Sequence, residues 1–281
     1  ELVRPFRFRP LPTQIISPEL TLVGEVNPNL QPVSIESSTY RFWDEMFYAF
    51  PKDKDVASKK RAFRAFDSET FIFKIPTESG DVHQITVVME MKHGRHWDLT
   101  NQEYAQRLLF YLPRKSIRVT NFIEVIPLEP FDQNGILFSR GLAAHDGKMY
   151  LRSQAGRNNR RDDIETLLHE NGHHFAYYFF KSHVIPKWTR LMAADTNTVQ
   201  VHTPGPIEDF AQTFSMYFSR KNSQEGLELR AKYPNRFHAI DLLFSGPANE
   251  INKPAYLSFA NSFPGSWRQR LMALLNKHRP R

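Results

Sequence analysis

The sequence predicts an α+β fold, on three observations. Runs rich in β-branched and aromatic residues, separated by turn residues, fill much of the chain between residues 70 and 152. After residue 160 the apolar residues take up a helical spacing. One of these helical stretches carries Leu168-His169-Glu170-Asn171-Gly172-His173-His174, which contains the pattern His-Glu-x-x-His.

At 281 residues the chain can bury a substantial core, as one large domain or two small ones. With 41% hydrophobic and 24% charged residues it has the composition of a soluble globular protein. No apolar run approaches the roughly 20 residues a membrane-spanning helix needs, so no transmembrane segment is expected. The absence of cysteine excludes disulfides, iron–sulfur clusters and cysteine-ligated zinc. A net charge of +7 could attract nucleic acid, anionic membrane or acidic substrate. No nucleic-acid motif accompanies it, and bases scattered over the surface account for it, so no nucleic-acid partner is expected.

Residues 1–35 hold Pro5, Pro10, Pro12, Pro18, Pro28 and Pro32, which argue against helix and central strand. They predict an extended arm, anchored by apolar residues such as Phe6 and Ile15. Thr39 to Phe50 reads as a helix, with Phe42, Met46 and Phe50 on one stripe. Lys59 to Phe66 reads as another, with Phe63 and Phe66 buried and its bases solvated. Thr70–Ile75 and Val82–Met91 form a hairpin about the turn Ser79-Gly80-Asp81. Thr100-Asn101-Gln102-Glu103 is a capping box that opens a helix through Leu112, closed by Pro113. Strands are expected over Ile117–Ile126, Gly135–Phe138 and Lys148–Arg152, the last after the turn His145-Asp146-Gly147. Helices follow over Asp162–Phe180, Pro186–Ala194, Pro206–Arg220, Asn235–Phe244, Pro254–Ala260 and Ser266–His278. The expected organisation is an arm and helical segment over residues 1–69 and a main domain over 70–281, a division that one continuous domain also fits.

His169 and His173 are four apart, so a helix places both on one face. Two neutral imidazoles can then converge on one Zn²⁺, at about 2.0–2.1 Å per bond. Glu170 points toward the same site without having to bind the ion, which suits a general base acting on metal-activated water. Asp162, Asp163 and Glu165 are the early acidic residues that a helix N-terminus favours. The competing reading is a helix whose two histidines are hydrogen-bonded in the core. His174 lies about 140° around the helix from His169, so a supporting or packing role is expected of it.

Two histidines leave a catalytic zinc short of one protein ligand. A metzincin would place a third histidine at position 179, which is Phe179, and a glycine at position 176, which is Ala176. That pattern fails. Glu208, near the start of a helix after Pro204-Gly205-Pro206, is the best alternative. Glu208 and Asp209 would equally serve as favourable first-turn charges.

The pair of helices resembles the zinc protease domain of anthrax lethal factor and the Pro-Pro endopeptidases. In those gluzincins the His-Glu-x-x-His helix is followed by Glu-x-Phe-Ala-Glu-x-Phe, and this chain has Glu208-Asp209-Phe210-Ala211-Gln212-Thr213-Phe214. The resemblance covers mainly residues 140–220. It implies a zincin-like fold with a twisted sheet and Zn²⁺ held by His169, His173 and Glu208. It further implies Glu170 as general base, a protein or peptide substrate, and a secreted toxin or an effector delivered into a host cell. By analogy with zincins, Lys148–Arg152 would be the edge strand that pairs with an extended substrate. A monomer is expected.

Two positions depart from the family. Gln212 replaces its second glutamate, and Val201 stands where it has an oxyanion-stabilising tyrosine. The adjacent His202 is the candidate for that donor role, with Tyr217 a weaker substitute. Gln212 and Val201 favour the first alternative, an inactive zincin-fold binding module. The second alternative is a basic nucleic-acid or membrane binder with incidental zinc.

Overall fold

The computed structural model describes residues 30–43, 63–76, 80–91, 99–127, 141–144, 146–153, 160–180, 184–195, 199, 205–246 and 251–263. Six strands form one mixed sheet: β1 (Ser34–Trp43), β2 (Phe63–Pro76), β3 (Val82–Glu90), β4 (Phe122–Pro127), β5 (Gly141–Ala143) and β6 (Lys148–Ser153). Their order across the sheet is β1-β2-β3-β4-β6-β5. The first three are antiparallel, β4 runs parallel to both β3 and β6, and β5 returns antiparallel along β6.

Alternation along the strands puts one residue in two against the helices. Phe71, Phe73, Ile85, Val87, Ile123 and Met149 all face one continuous core and are almost fully buried. The opposite face carries a smaller cluster of Val88 with Tyr40, Phe66, Phe122 and Tyr150. There Tyr40 donates to buried Glu124 at 2.8 Å.

Eight helices stand among the described residues. α1 (Asn101–Tyr111) and α2 (Arg114–Ile117) lie between β3 and β4. The capping box is present: Glu103 N donates to Thr100 Oγ1 at 3.2 Å and Thr100 N to Glu103 Oε2 at 2.8 Å. After β6 come α3 (Arg160–Phe180), α4 (Val184–Ala194), α5 (Pro206–Arg220), α6 (Gln224–Lys232), α7 (Pro234–Phe244) and α8 (Lys253–Asn261). Phe175 of α3 packs against α5 and α7, with ring centroids 6.1 Å from Phe210, 5.7 Å from Phe214 and 5.3 Å from Phe244. Rings at these separations pack as aromatic pairs prefer. No helix among the described residues is long and apolar enough to cross a membrane.

Several expectations are corrected. Thr39–Trp43 lies in β1 and Phe63–Phe66 in β2, with Tyr40 opposite Phe66, where helices were expected. Residues 42, 46 and 50 share parity, so the stripe that suggested a helix fits one face of a strand equally well. Thr, Tyr, Phe and Trp also favour strands, and pairing with a neighbour decides the matter. The expected division after residue 69 falls inside β2, and β1 hydrogen-bonds into the same sheet, so residues 34–43 and 63–76 belong to the main body. Ile117 closes α2, and strand structure begins only at Phe122, because the turn after Pro113 satisfies its backbone locally. Lys148–Arg152 is a strand but not the edge of the sheet, since β5 lies outside it. The arm before residue 30, the strand at 135–138 and the helix at 266–278 lie outside the described residues. The sequence reading missed α6, whose turn of origin is capped by Ser223, which accepts from Gly226 N at 3.1 Å.

Candidate metal centre

The first two candidate ligands sit on α3, which buried polar side chains anchor to α2, to the turn before β4 and to β6. Asn171 accepts from Ser116 Oγ at 2.6 Å and donates to Thr120 Oγ1 at 3.1 Å. His174 reaches the carbonyl of Lys148 with Nε2 at 2.9 Å and Thr120 Oγ1 with Nδ1 at 2.9 Å. A carbonyl only accepts, so the ring is the neutral Nε2–H tautomer and Thr120 donates to Nδ1. Burial lowers His174 to about 4, which keeps that neutral form. His174 is therefore an anchor and not a ligand, as its angular position predicts.

On the facing side of α3, His169 and His173 turn toward α5. Their Nε2 atoms are 3.1 Å apart. Glu208, in the first turn of α5, places Oε2 at 3.3 Å from His169 Nε2 and Oε1 at 3.4 Å from His173 Nε2. These three side chains form a group able to hold a metal ion. Their separations match a coordination shell. A tetrahedral ion with bonds of about 2.0–2.1 Å spaces its ligand atoms by about 3.3–3.4 Å. Two imidazoles and a carboxylate are also the donor set that suits Zn²⁺. Burial opposes ionisation of Glu208, but hydrogen bonds and charge from both imidazoles outweigh it and hold the carboxyl well below its usual range. In this geometry the imidazoles do for the carboxylate what a cation would do. Nδ1 of each ring is buried without a partner among the described residues.

A close approach of α3 and α5 makes this convergence possible. A Cβ at Gly172 would lie 3.0 Å from Ala211 Cα and 3.2 Å from Phe214 Cβ. Gly172 is three residues past His169, and Ala211 three past Glu208, so the contact point sits one helical turn from the ligands. Gly172→Val is expected to overpack this seam, at about 1–3 kcal/mol, and to carry Glu208 away from the imidazoles. Isothermal titration with Zn²⁺ should then show weaker binding than in the unaltered protein. Unchanged affinity would mean that the seam does not set the site.

The first turn of α5 is fixed from behind. Arg236 of α7 reaches Asp209 with Nε at 2.8 Å from Oδ1 and Nη2 at 3.0 Å from Oδ2. Trp188 of α4 donates to Asp209 Oδ1 at 2.8 Å. Asp195 accepts from the backbone N–H groups of Asn235 and Arg236, both at 3.0 Å, capping α7. All four side chains are buried. Asp209 is thus more than a helix-dipole charge, and its role was not visible in sequence.

Glu170 lies 5% exposed between α3 and β5. Burial pushes its carboxyl up to about 7; His169 and the Ala143 N–H oppose the rise and the Glu208 charge adds to it. Tyr177, one turn beyond His173, stacks on that imidazole at 6.2 Å between ring centres. Burial, with the charges of Glu208 and Glu170, raises its hydroxyl above the ordinary tyrosine range. Sequence reasoning passed over Tyr177, although its spacing of four from His173 was a usable signal. Tyr217, offered as a substitute donor, does not join the site. It lies about 180° around α5 from Glu208, and its hydroxyl donates to Asp241 at 2.6 Å. Gln212 is half-buried one turn past Glu208. His202 and Val201 lie outside the described residues.

No protein-family model matches the chain, and a search of curated proteins finds no match to it.

Proposed function

We propose that the protein is a zinc-dependent endopeptidase of gluzincin type with a zincin-like fold, acting on protein or peptide substrates. One observation carries the reading: His169, His173 and Glu208, from two different helices, converge at 3.1–3.4 Å with Glu170 beside them. When bound, the ion supplies a Lewis acid that lowers the pKa of water and polarises a carbonyl. Glu170 takes the proton of the attacking water and passes it to the leaving amine. His202 is the proposed donor to the developing oxyanion, and the Tyr177 hydroxyl, on the residue that stacks on His173, is a second candidate donor. β5, the outermost described strand on this side of the sheet, is the proposed partner of an extended peptide, and Glu170 packs against its first residue, Gly141. The residue pattern also resembles secreted toxins and effectors, which motivates the same proposal for this chain.

Metal analysis of the purified protein is expected to find one zinc per chain. Proteome-derived peptide libraries should show a defined set of cleavage sites that vanishes with chelator and returns with added Zn²⁺. Cleavage that persists after complete metal removal would overturn the reading. An inactive binding module, which Gln212 favours, would instead bind zinc and leave every peptide intact.

A further inference from the structure

Gly141 is the first residue of β5, and it meets α3 where Glu170 lies. A Cβ built there would stand 2.7 Å from both Cγ and Oε1 of Glu170 and 2.8 Å from Thr166 Cγ2. Each distance is well inside ordinary contact. The glycine is not required by its backbone: the left-handed glycines among the described residues are Gly80 and Gly147, and Gly141 is not one of them. Any L-residue could adopt its extended conformation. What the position excludes is volume, and the volume is occupied by the Glu170 side chain. Two residues along the same strand, the Ala143 N–H donates to the Glu170 carboxylate. β5 therefore supplies a floor without a side chain and, one step further, a hydrogen bond.

We propose that Gly141 is the positioning residue for Glu170. Resting on the reading of Glu170 as proton carrier, this makes β5 a two-point seat. The missing side chain at Gly141 lets the carboxylate lie against the strand, and Ala143 N–H sets its rotation. Two of the three atoms nearest an added methyl belong to the flexible Glu170 side chain and the third is Thr166 Cγ2, so the larger part of the clash is with Glu170. Such a clash is relieved by swinging Glu170 aside, with little movement of the backbone. A misplacement of about 1 Å in a reacting group can cost about 10²-fold in rate. None of the three atoms nearest the added methyl belongs to a metal ligand, so the ligands are expected to keep their positions.

The test is Gly141→Ala in three backgrounds: the unaltered protein, Glu170→Ala and Glu170→Gln. In the unaltered protein, kcat is expected to fall about 10²-fold while KM and bound zinc stay the same. Thermal unfolding supplies a readout independent of activity. Gly141→Ala should lower Tm in the unaltered protein and equally in Glu170→Gln, where the clash remains. In Glu170→Ala, where the clashing atoms are gone, the drop should shrink by at least half. Equal drops in all three backgrounds, or an undiminished kcat, would overturn the proposal. A wild-type protein that cleaves no peptide would sink the protease reading instead, while the three Tm values still decide whether Gly141 seats Glu170.

Discussion

Glu170→Gln is expected to lower kcat by about 10²–10⁴-fold, the range for losing a positioned general acid–base. The substitution keeps side-chain size and removes the group that takes and returns a proton. Glu170 is not among the three convergent ligands, so zinc content should equal that of the unaltered protein. Its burial between α3 and β5 means that an amide fills the same space. The measurement is single-turnover hydrolysis of the best library peptide, paired with metal analysis of the same sample. A rate within a few-fold of wild type would remove Glu170 from the mechanism. Loss of zinc together with activity would show instead that it acts through the metal shell.

A comparably large effect on stability is expected from Arg236→Met. The Arg236 guanidinium, 1% exposed, sits between Asp209 and Asp195, with Nη1 at 3.5 Å from Asp195 Oδ2. Removing one partner of a buried ion pair costs about 3–5 kcal/mol, because the other charge is left uncompensated. Here two buried carboxylates would be left. At about 2–4 °C per kcal/mol for a chain of this size class, Tm should fall on the order of 10 °C. Asp209 adjoins Glu208, so zinc affinity should fall with it as the first turn of α5 loosens. Differential scanning fluorimetry with and without Zn²⁺ separates the two effects. A Tm within about 2 °C of the unaltered protein would show the network to be dispensable.

The helices after residue 160, α6 apart, were largely legible because they bury apolar residues at helical spacing against the same core, and that spacing is a local pattern. The span Pro206–Arg220 agrees at both ends, and α3 and α4 agree to within two residues at their starts. The β1 residues were misread because a spacing of four satisfies both periods; Phe63 and Phe66, three apart, fit one face of a helix and not of a strand, and only pairing with β1 places them in β2. Edge position was illegible for a related reason. β5 is three residues long, too short to show alternation, yet it displaces β6 from the rim of the sheet. Asp209 looked like an ordinary first-turn charge. Its partner Arg236 lies 27 residues away, and no local rule links them.

By itself, the sequence determined the α+β class and the placement of His169, Glu170 and His173 on one helix. A spacing of four along a helix is a fixed rotation, which needs no knowledge of the rest of the chain. Glu208 could be nominated from its motif, but only the tertiary structure decided that its carboxylate meets both imidazoles. That depends on how closely α3 and α5 approach at Gly172, and on Arg236 and Trp188 holding Asp209 from behind. The seat of Glu170 against Gly141 belongs to the same kind of fact. Contacts between residues distant in the chain are set by the packing of whole elements, and packing leaves no period in the sequence to read.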